Sequence, residues 1–310
     1  MARNNRLFYY LLLLFSTIFW GVSFIFTKSL LETITPIAII FFRLLIASTL
    51  LMVVTGLFYR PKWSEITVND FINLFALSCF EPFLYFLFET YSLQYADPTV
   101  VSVIIATIPV FTLFLSIFYF KENLTRLNII GVFISVLGIV VMLFPDVSGE
   151  LFHGLGVFLA ACAVLSSVGY SFFIRKVSEK YHPVFIVTCQ NTIGGVLFLP
   201  LFLLLHNPAE MAHQWSAFAQ PHLCVNLLVL AVCCSSLAFI FYVKALQKVG
   251  LGRSQTFTNL IPVVTAIFSY FALDEKFTVH KIAGTLIVII GVYCVQKKFT
   301  NPADMVGAGE

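Results

Sequence analysis

Three charged side chains, Arg43, Glu81 and Glu89, lie well inside long apolar stretches of the sequence. A charge at the centre of a bilayer costs about 2.5–3.5 kcal/mol on insertion scales, so charges retained at such positions should face protein or water. Glu81, Tyr85 and Glu89 follow one another at intervals of four residues, which places them on one face of a helix. This stripe is a candidate pathway for a substrate or an ion.

The depth of each charge in its span suggests which charges meet. At 1.5 Å per residue, Arg43 lies about 10 Å and Glu89 about 9 Å from the same membrane face. The two share a level, so we expect them to pair, either as an orienting salt bridge or as part of a site. Glu81 lies near the midpoint of its span, with no charged residue at its depth, and Pro82 should bend the helix beside it.

Glu81 has two interpretations. It is either a neutral acid that is hydrogen-bonded to a neighbouring helix, or a proton or substrate site. We favour the second, because an ionised carboxylate at this depth would be costly unless a cation or a cationic group of a cargo were bound.

Two prolines, Pro109 and Pro262, each lie near the centre of a 23-residue apolar span. Interrupted helices at corresponding positions of two halves are the best sequence pointer to a binding site at the midplane. The alternative is a kink without ligand contact. Neighbouring threonine hydroxyls could bond the backbone carbonyls that a proline frees, at Thr107, Thr112, Thr258 and Thr265.

Three further residues are candidates for the walls of such a site. Trp20 either lines a cavity or packs in the core, and both remain open. Gln190 corresponds to Arg43 in the internal repeat described below, and Asn259 lies beside Pro262. For Asn259, an interhelical hydrogen bond is the alternative.

The composition shows which elements must position these residues. The chain has 310 residues, of which 60% are apolar and 11% charged. Soluble domains carry about 25% charged residues, so this chain cannot cover a solvated surface, and a net charge of +3 gives no indication of nucleic-acid binding. Runs long enough to cross a bilayer of about 30 Å number ten: 7–27, 36–58, 71–95, 98–120, 127–144, 154–174, 183–205, 222–245, 251–273 and 280–296.

Loop charges predict the orientation of these spans. With the N-terminus inside, fourteen Lys and Arg residues fall in inner segments, and only Lys28, Lys276 and Lys281 fall in outer ones. An even number of spans returns the chain to its starting side. We therefore predict that both termini are cytoplasmic and that the protein lies in an inner or plasma membrane.

The second half of the chain repeats the first. With a shift of 153 residues and no gaps, 89–138 aligns with 242–291, and fourteen of the fifty positions are identical. The matches include the two central prolines, Glu122 with Glu275, and two pairs of glycines. Earlier in each half, at a slightly smaller shift, Gly21-Val22-Ser23-Phe24 matches Gly169-Tyr170-Ser171-Phe172.

Each repeat contains five spans, an odd number, so the second must be inverted relative to the first. Inverted repeats are a hallmark of secondary transporters, in which one half rocks against the other. We predict an all-α integral membrane protein of ten transmembrane helices, built as two inverted five-helix repeats at 1–147 and 148–298, followed by a cytoplasmic tail at 299–310.

These features resemble one family of membrane proteins. Two five-helix halves, the opening Trp20-Gly21-Val22-Ser23-Phe24, and fourth helices with central prolines that end at Glu122 and Glu275 are similar to the EamA family of drug/metabolite transporters. The resemblance covers residues 7–298. It implies a cavity surrounded by helices 1–4 and 6–9, with helices 5 and 10 at the periphery, and a small metabolite or toxic compound as the exported cargo.

The predicted function is therefore secondary transport by alternating access, with proton coupling left open. A channel and an intramembrane enzyme are the alternatives. The sequence has no metalloprotease motif, no phosphate-binding loop and no cysteine pair with metal-ligand spacing, so we expect no enzyme activity, no metal and no cofactor. Glycines at seven-residue spacing in the fifth helices permit close packing, within one subunit or between two subunits of a homodimer.

Overall fold

The structure, a computed structural model, describes residues 3–59, 66–112, 126–143, 151–275 and 278–296. Its helices are Arg3–Leu31 (α1), Pro36–Val54 (α2), Val68–Ser78 (α3), Tyr85–Tyr95 (α4), Pro98–Ile105 (α5), Arg126–Leu143 (α6), Leu151–Ser178 (α7), Pro183–Leu205 (α8), Pro208–Ala217 (α9), Pro221–Val229 (α10), Ala238–Val249 (α11), Leu251–Thr258 (α12), Ile261–Ala272 (α13) and Val279–Gln296 (α14). Three π-helical segments, Thr55–Tyr59, Cys79–Leu84 and Leu230–Leu237, continue helices α2, α3 and α10. The predicted tail at 299–310 lies outside the described residues.

The helices confirm the predicted fold class. Six continuous helical stretches in the described ranges are long and apolar enough to cross a membrane, and four shorter apolar helices fall at the other four predicted spans. Large apolar side chains point away from the bundle, as Phe133, Leu204 and Phe271 show with exposures of 71%, 82% and 78%. Such a surface is stable in lipid, where it contacts acyl chains instead of water.

Prolines begin five of these helices: Pro36, Pro98, Pro183, Pro208 and Pro221. The first residue of a helix has no intrahelical acceptor for its N–H, and the fixed φ of proline already suits the helix. The residue before each of these prolines has an extended backbone, as is typical before proline. Each helix therefore begins at its proline.

The packing of the two repeats follows the internal symmetry. The first helix of each repeat packs on the third helix of the other, α1 on α11 and α7 on α4. Equivalent helices also pair across the repeats: α2 with α8, α5 with α13, and α6 with α14. The halves are therefore interlocked rather than laid side by side.

The third helix of each repeat is interrupted by a π-helical segment at the same register, because a shift of 153 residues carries 79–84 onto 232–237. In the first repeat Glu81 has φ −148° and ψ 116°, which breaks the helix, and the Glu81–Pro82 peptide bond is cis. The bend expected at Pro82 is confirmed. The segment in the second repeat contains no proline, and no residue pattern predicts it.

The fourth helix of each repeat is also broken. Helix α5 ends at Ile105 and residues 108–112 are helical again, while α12 ends at Thr258 and α13 begins at Ile261. Pro109 and Pro262 are the second residues of the segments that follow these breaks. Thr107 Oγ1 donates to Ile104 O at 2.6 Å, and Thr258 Oγ1 donates to Gln255 O at 2.7 Å, which satisfies carbonyls at each break.

Helices α6 and α14, the fifth helix of each repeat, pack closely through glycines. A Cβ atom built on Gly138 would lie 2.6 Å from Val288 N, and one built on Gly291 would lie 2.5 Å from Ser135 N. Neither position has room for a side chain, so the glycines permit backbone contact within the subunit. Of the two arrangements that the sequence left open, this one is observed.

Candidate functional site

A buried cavity of about 60 Å³ lies between the two repeats. Its polar and charged lining comes from Ser23, Arg43, Glu81, Glu89, Ser167, Ser171, Gln255 and Thr258. Its aromatic lining comes from Trp20, Phe24, Tyr85, Phe86, Tyr170, Phe239 and Tyr242. The first four helices of the first repeat contribute to it, as do the first, third and fourth helices of the second.

Ten of the eighteen lining residues form five pairs related by the repeat. The pairs are Ser23 and Ser171, Phe86 and Phe239, Glu89 and Tyr242, Ile105 and Thr258, and Ile108 and Ile261. The cavity therefore lies where the two halves meet about their pseudo-symmetry axis. The chemistry is asymmetric, because both carboxylates and the guanidinium belong to the first repeat.

The break in the third helix positions Glu81. The interruption between α3 and α4 turns the side chain of Glu81 into the cavity, where it is 6% exposed. Two glycines of the second repeat make this possible, since any side chain at Gly169 would overlap the ring of Phe80, and any at Gly194 would overlap Pro82. The carboxyl of Glu81 interacts with the hydroxyl of Ser167 on α7.

Glu89 lies two turns further along α4 and is also buried. Tyr85, one turn before it, donates a hydrogen bond from its hydroxyl to Glu89 Oε1 at 3.2 Å. The predicted stripe of Glu81, Tyr85 and Glu89 thus faces one cavity. Sequence spacing accounts for the shared face of Tyr85 and Glu89, because the helix is regular from Tyr85 onward, whereas Glu81 reaches the cavity through the break that precedes α4.

Arg43 faces the same cavity from α2 and is 2% exposed. Its Nε donates to Ser235 Oγ at 2.8 Å, and its guanidinium carbon lies 4.0 Å above the ring of Phe86. Within the described part of the chain Arg43 forms no ion pair with Glu89, and its Nη1 has no hydrogen-bond partner. The direct pair predicted from equal depth is therefore replaced by a contact with the π-helical segment of the second repeat.

Trp20 belongs to a cluster of aromatic rings on one side of the cavity. Its ring centroid lies 5.1 Å from those of both Phe239 and Tyr242 on α11. Its Nε1 is buried and lacks a hydrogen-bond partner among the described residues. A ligand could accept a hydrogen bond from the indole N–H or place a cationic group over the ring face.

Four predicted residues do not line the cavity. Pro109 and Pro262 directly follow the lining residues Ile108 and Ile261 in sequence, but they do not line the cavity themselves. Asn259 is buried in the break between α12 and α13, and Gln190 is buried on α8. Asn259 and Gln190 therefore remain candidates for supporting the cavity wall from behind the residues that line it.

Sequence reasoning missed several lining residues of the second repeat, chiefly Tyr170, Tyr242 and Ser167. One signal could have found Tyr242, because the repeat register pairs it with Glu89. Tyr170 lies inside the matched segment that begins at Gly169. Ser167 had no signal, since small polar residues are common in membrane helices for packing.

The size of the cavity limits what it can hold in this conformation. About 60 Å³ accommodates a few waters or a small ion, whereas drug-sized ligands occupy about 300–1,000 Å³. A larger cargo would require the two repeats to separate. Among the described residues no group of three or more His, Cys, Asp or Glu could hold a metal ion.

Two interlocked repeats of broken membrane helices around one central cavity define a polytopic membrane transporter. The chain belongs to the EamA-like transporter family, whose sequence profile matches residues 7–144 and 154–296. The family consists of transporters and not enzymes, in agreement with the expectation from the sequence.

Relatives from an archaeon, a bacterium and a plant match most of the chain, and two of the three are described as transporters. An uncharacterized transporter of Archaeoglobus fulgidus is 27% identical over 289 residues, which cover 93% of this chain and 99% of the relative. The uncharacterized transporter YcxC of Bacillus subtilis is 27% identical, with 88% and 87% covered. A chloroplastic WAT1-related protein of Arabidopsis thaliana is 25% identical, with 90% and 67% covered.

The architecture also matches a solved crystal structure. The two chains superpose with a TM-score of 0.66 at 15% sequence identity, covering 93% of this chain and 96% of the other. At this identity the likeness concerns the fold alone.

Proposed function

We propose that this protein is a secondary transporter that exports a small metabolite or drug-like compound by alternating access. The observation that carries the proposal is the central cavity, where both repeats contribute equivalent positions and one repeat supplies two buried carboxylates. Rocking two inverted halves about such a site exposes it to each side of the membrane in turn.

The breaks in the third and fourth helices support this motion. They place irregular backbone beside the cavity in both repeats, at Cys79–Leu84, Leu230–Leu237 and the two proline breaks. Irregular backbone at membrane depth is tolerated where it is buried in protein or lines a cavity. These positions could change backbone angles while the longer helices remain rigid.

We propose further that transport is coupled to protons through Glu81. Its carboxyl lies at mid-depth, faces the cavity, and forms no ion pair among the described residues. Protonation when the cargo leaves, and deprotonation when a cationic group enters, would avoid an uncompensated buried charge in either state.

The proposed function is tested by flux. Metabolite profiling of cells with and without the protein would identify compounds whose external level rises with expression. Uptake of those compounds into proteoliposomes should then saturate with concentration and show counterflow, because a carrier must turn over once for each cargo. Non-saturating flux without counterflow would instead support a channel.

The orientation also belongs to the proposal: the protein lies in an inner or plasma membrane with both termini in the cytoplasm. Single cysteines at 175–180 should react with a membrane-impermeant maleimide only from inside, and cysteines at 206–221 only from outside. The expected loop positions 121–125 and 146–150 lie outside the described residues, and 126 and 151–153 begin helices α6 and α7. Labelling of 175–180 from outside would refute both the orientation and the inverted repeat.

Two further proposals concern the bounds of the repeats and the surface that a homodimer would use. The repeats extend over 1–147 and 148–298, and a homodimer, if formed, would use a surface other than the glycine faces of α6 and α14. Those faces are already occupied within the subunit.

A further inference from the structure

Four residues form a compact cluster at the end of the bundle that loop charge predicts to be outside. We call Asp97, Thr99, Glu275 and Lys281 the outer cluster. Lys281 Nζ lies 2.6 Å from Asp97 Oδ2 and 3.2 Å from Glu275 Oε1. Thr99 Oγ1 donates to Glu275 Oε2 at 2.8 Å. One ammonium group therefore holds two carboxylates together.

The outer cluster joins the two repeats. Asp97 and Thr99 lie where α4 turns into α5, in the first repeat, while Glu275 and Lys281 lie after α13 and on α14, in the second. Helices α5 and α13 pack against each other beneath it. Any movement that separates them at this end must break these contacts.

Separation is costly because the centre of the cluster is buried. The side chains of Lys281 and Glu275 are 8% and 6% exposed, whereas that of Asp97, at the rim, is 41% exposed. Removing one partner of a buried pair leaves the other charge uncompensated, which destabilises the paired arrangement strongly. Helix α1 is linked to α4 at the same end of the bundle, because Lys28 Nζ donates a hydrogen bond to Leu93 O at 2.6 Å, near the end of α4.

In sequence, the repeat keeps only the glutamate of this cluster. A shift of 153 residues pairs Glu275 with Glu122, which lies outside the described residues, but it pairs Asp97 with Gly250, Thr99 with Gly252 and Lys281 with Asn128. Gly250 has φ +85°, a conformation that favours glycine over any residue with a side chain. The aspartate of the cluster thus has no counterpart where the second repeat would need one.

We propose that the outer cluster is a gate that holds the outer end of the cavity closed and makes the outer-closed conformation the resting state. Two identical inverted halves would have two closed states of equal free energy. The outer cluster, centred on the buried Lys281, has no charged equivalents of Asp97 and Lys281 at the other end, so it lowers the free energy of the outer-closed state and shifts the population toward that state. This proposal rests on alternating access, as proposed above.

The test measures access to the cavity from outside. Ser23, which lines the cavity, is replaced by cysteine, and right-side-out vesicles are treated with a membrane-impermeant maleimide. Asp97→Asn and Lys281→Met should each accelerate labelling at position 23 about tenfold, because the open state is no longer held back by the gate. The chain without Ser23→Cys, under the same treatment, gives the background from its seven native cysteines.

Two further variants sharpen the result. The exchange Asp97→Lys with Lys281→Asp should bring labelling back toward the slow rate, and Thr99→Val should accelerate it less than either neutralisation. Asp70→Asn is the matched control, because it removes the ion pair with Lys180 at the predicted inner end. That pair also joins the two repeats, but at the opposite end, so its loss should not accelerate labelling from outside.

Unchanged labelling in variants that remain monodisperse in detergent would overturn the gate. If one neutralised variant does not fold, the other and Thr99→Val decide the question. Flux is measured in the same vesicles as a separate readout. Saturable flux together with unchanged labelling would refute the gate alone, whereas the absence of flux in the unmodified chain would refute the proposed function.

Discussion

Replacing Glu81 by Gln should abolish transport driven by a pH gradient while leaving the protein folded. Glutamine has nearly the shape of a protonated glutamic acid and can still interact with Ser167, so the break between α3 and α4 should persist. It cannot release a proton, so a gradient would no longer be coupled to cargo movement. The measurement is cargo flux into proteoliposomes with and without an imposed pH gradient.

Exchange at equilibrium distinguishes coupling from binding. With cargo on both sides and no gradient, Glu81→Gln should still exchange labelled for unlabelled cargo if the carboxylate serves proton coupling. For a cationic cargo, exchange should weaken as well, because the charge that compensates the cation is gone. Glu89→Gln is the matched comparison, since Glu89 shares the cavity and burial of Glu81 but is hydrogen-bonded by Tyr85.

One result would remove Glu81 from the mechanism. If Glu81→Gln shows the flux and the pH dependence of the unmodified protein, the carboxyl is a structural group, and coupling must reside elsewhere or be absent.

The second large effect is expected in the pairing of α6 and α14. Gly138→Ala should lower the free energy of unfolding by about 1–3 kcal/mol, because the added methyl group would meet the backbone of Val288 and force the helices apart. Gly138→Leu should prevent the close pairing altogether. Thermal unfolding in detergent, followed by the loss of monodisperse protein, measures both.

Gly154→Ala provides the control for this prediction. No atom lies within 4 Å of a Cβ built on Gly154, which is also helical, so the substitution should be neutral or slightly stabilising. Equal stability of Gly138→Ala and the unmodified protein would show that the glycine contact does not hold the two repeats together.

Much of this architecture is predictable from the sequence because a bilayer leaves few options. Backbone groups in lipid must be satisfied within helices, so ten apolar runs predict ten helices. The repeat then predicts which helices are equivalent. The proline breaks at Pro109 and Pro262 follow from the missing N–H and the fixed φ, which are properties of the residue and not of its surroundings.

Features that depend on contacts between distant helices escaped prediction. Equal depth predicted a direct pair of Arg43 and Glu89, which is absent among the described residues, because depth says nothing about rotation around each helix. Only the packing of α2 on Leu230–Leu237 brings Ser235 to the guanidinium. That π-helical segment has no proline and left no trace in the sequence.

One local feature was predictable and was overlooked. The loop at 206–221, which loop charge predicts to be outside, contains the short helix α9, which begins at Pro208 with Asn207 as its cap. Glu210 bonds back to the N–H of Asn207, and together they form a capping box. Asparagine, proline and glutamate at this spacing are a known signature of a helix start.

The interlocking of the repeats has a consequence for how the protein is made. Helix α1 leaves the ribosome before α11, yet Ser16 donates to Ala238 O, 222 residues later in the chain. Thr17 likewise donates to Phe257 O. Until the second repeat is synthesised, the face of α1 that contacts α11 has only lipid, insertion machinery or unfinished neighbours beside it. During biogenesis, α1 therefore lacks part of its native protein contacts. A chain truncated after the first repeat would leave this face uncovered, and the cell could recognise it as incomplete.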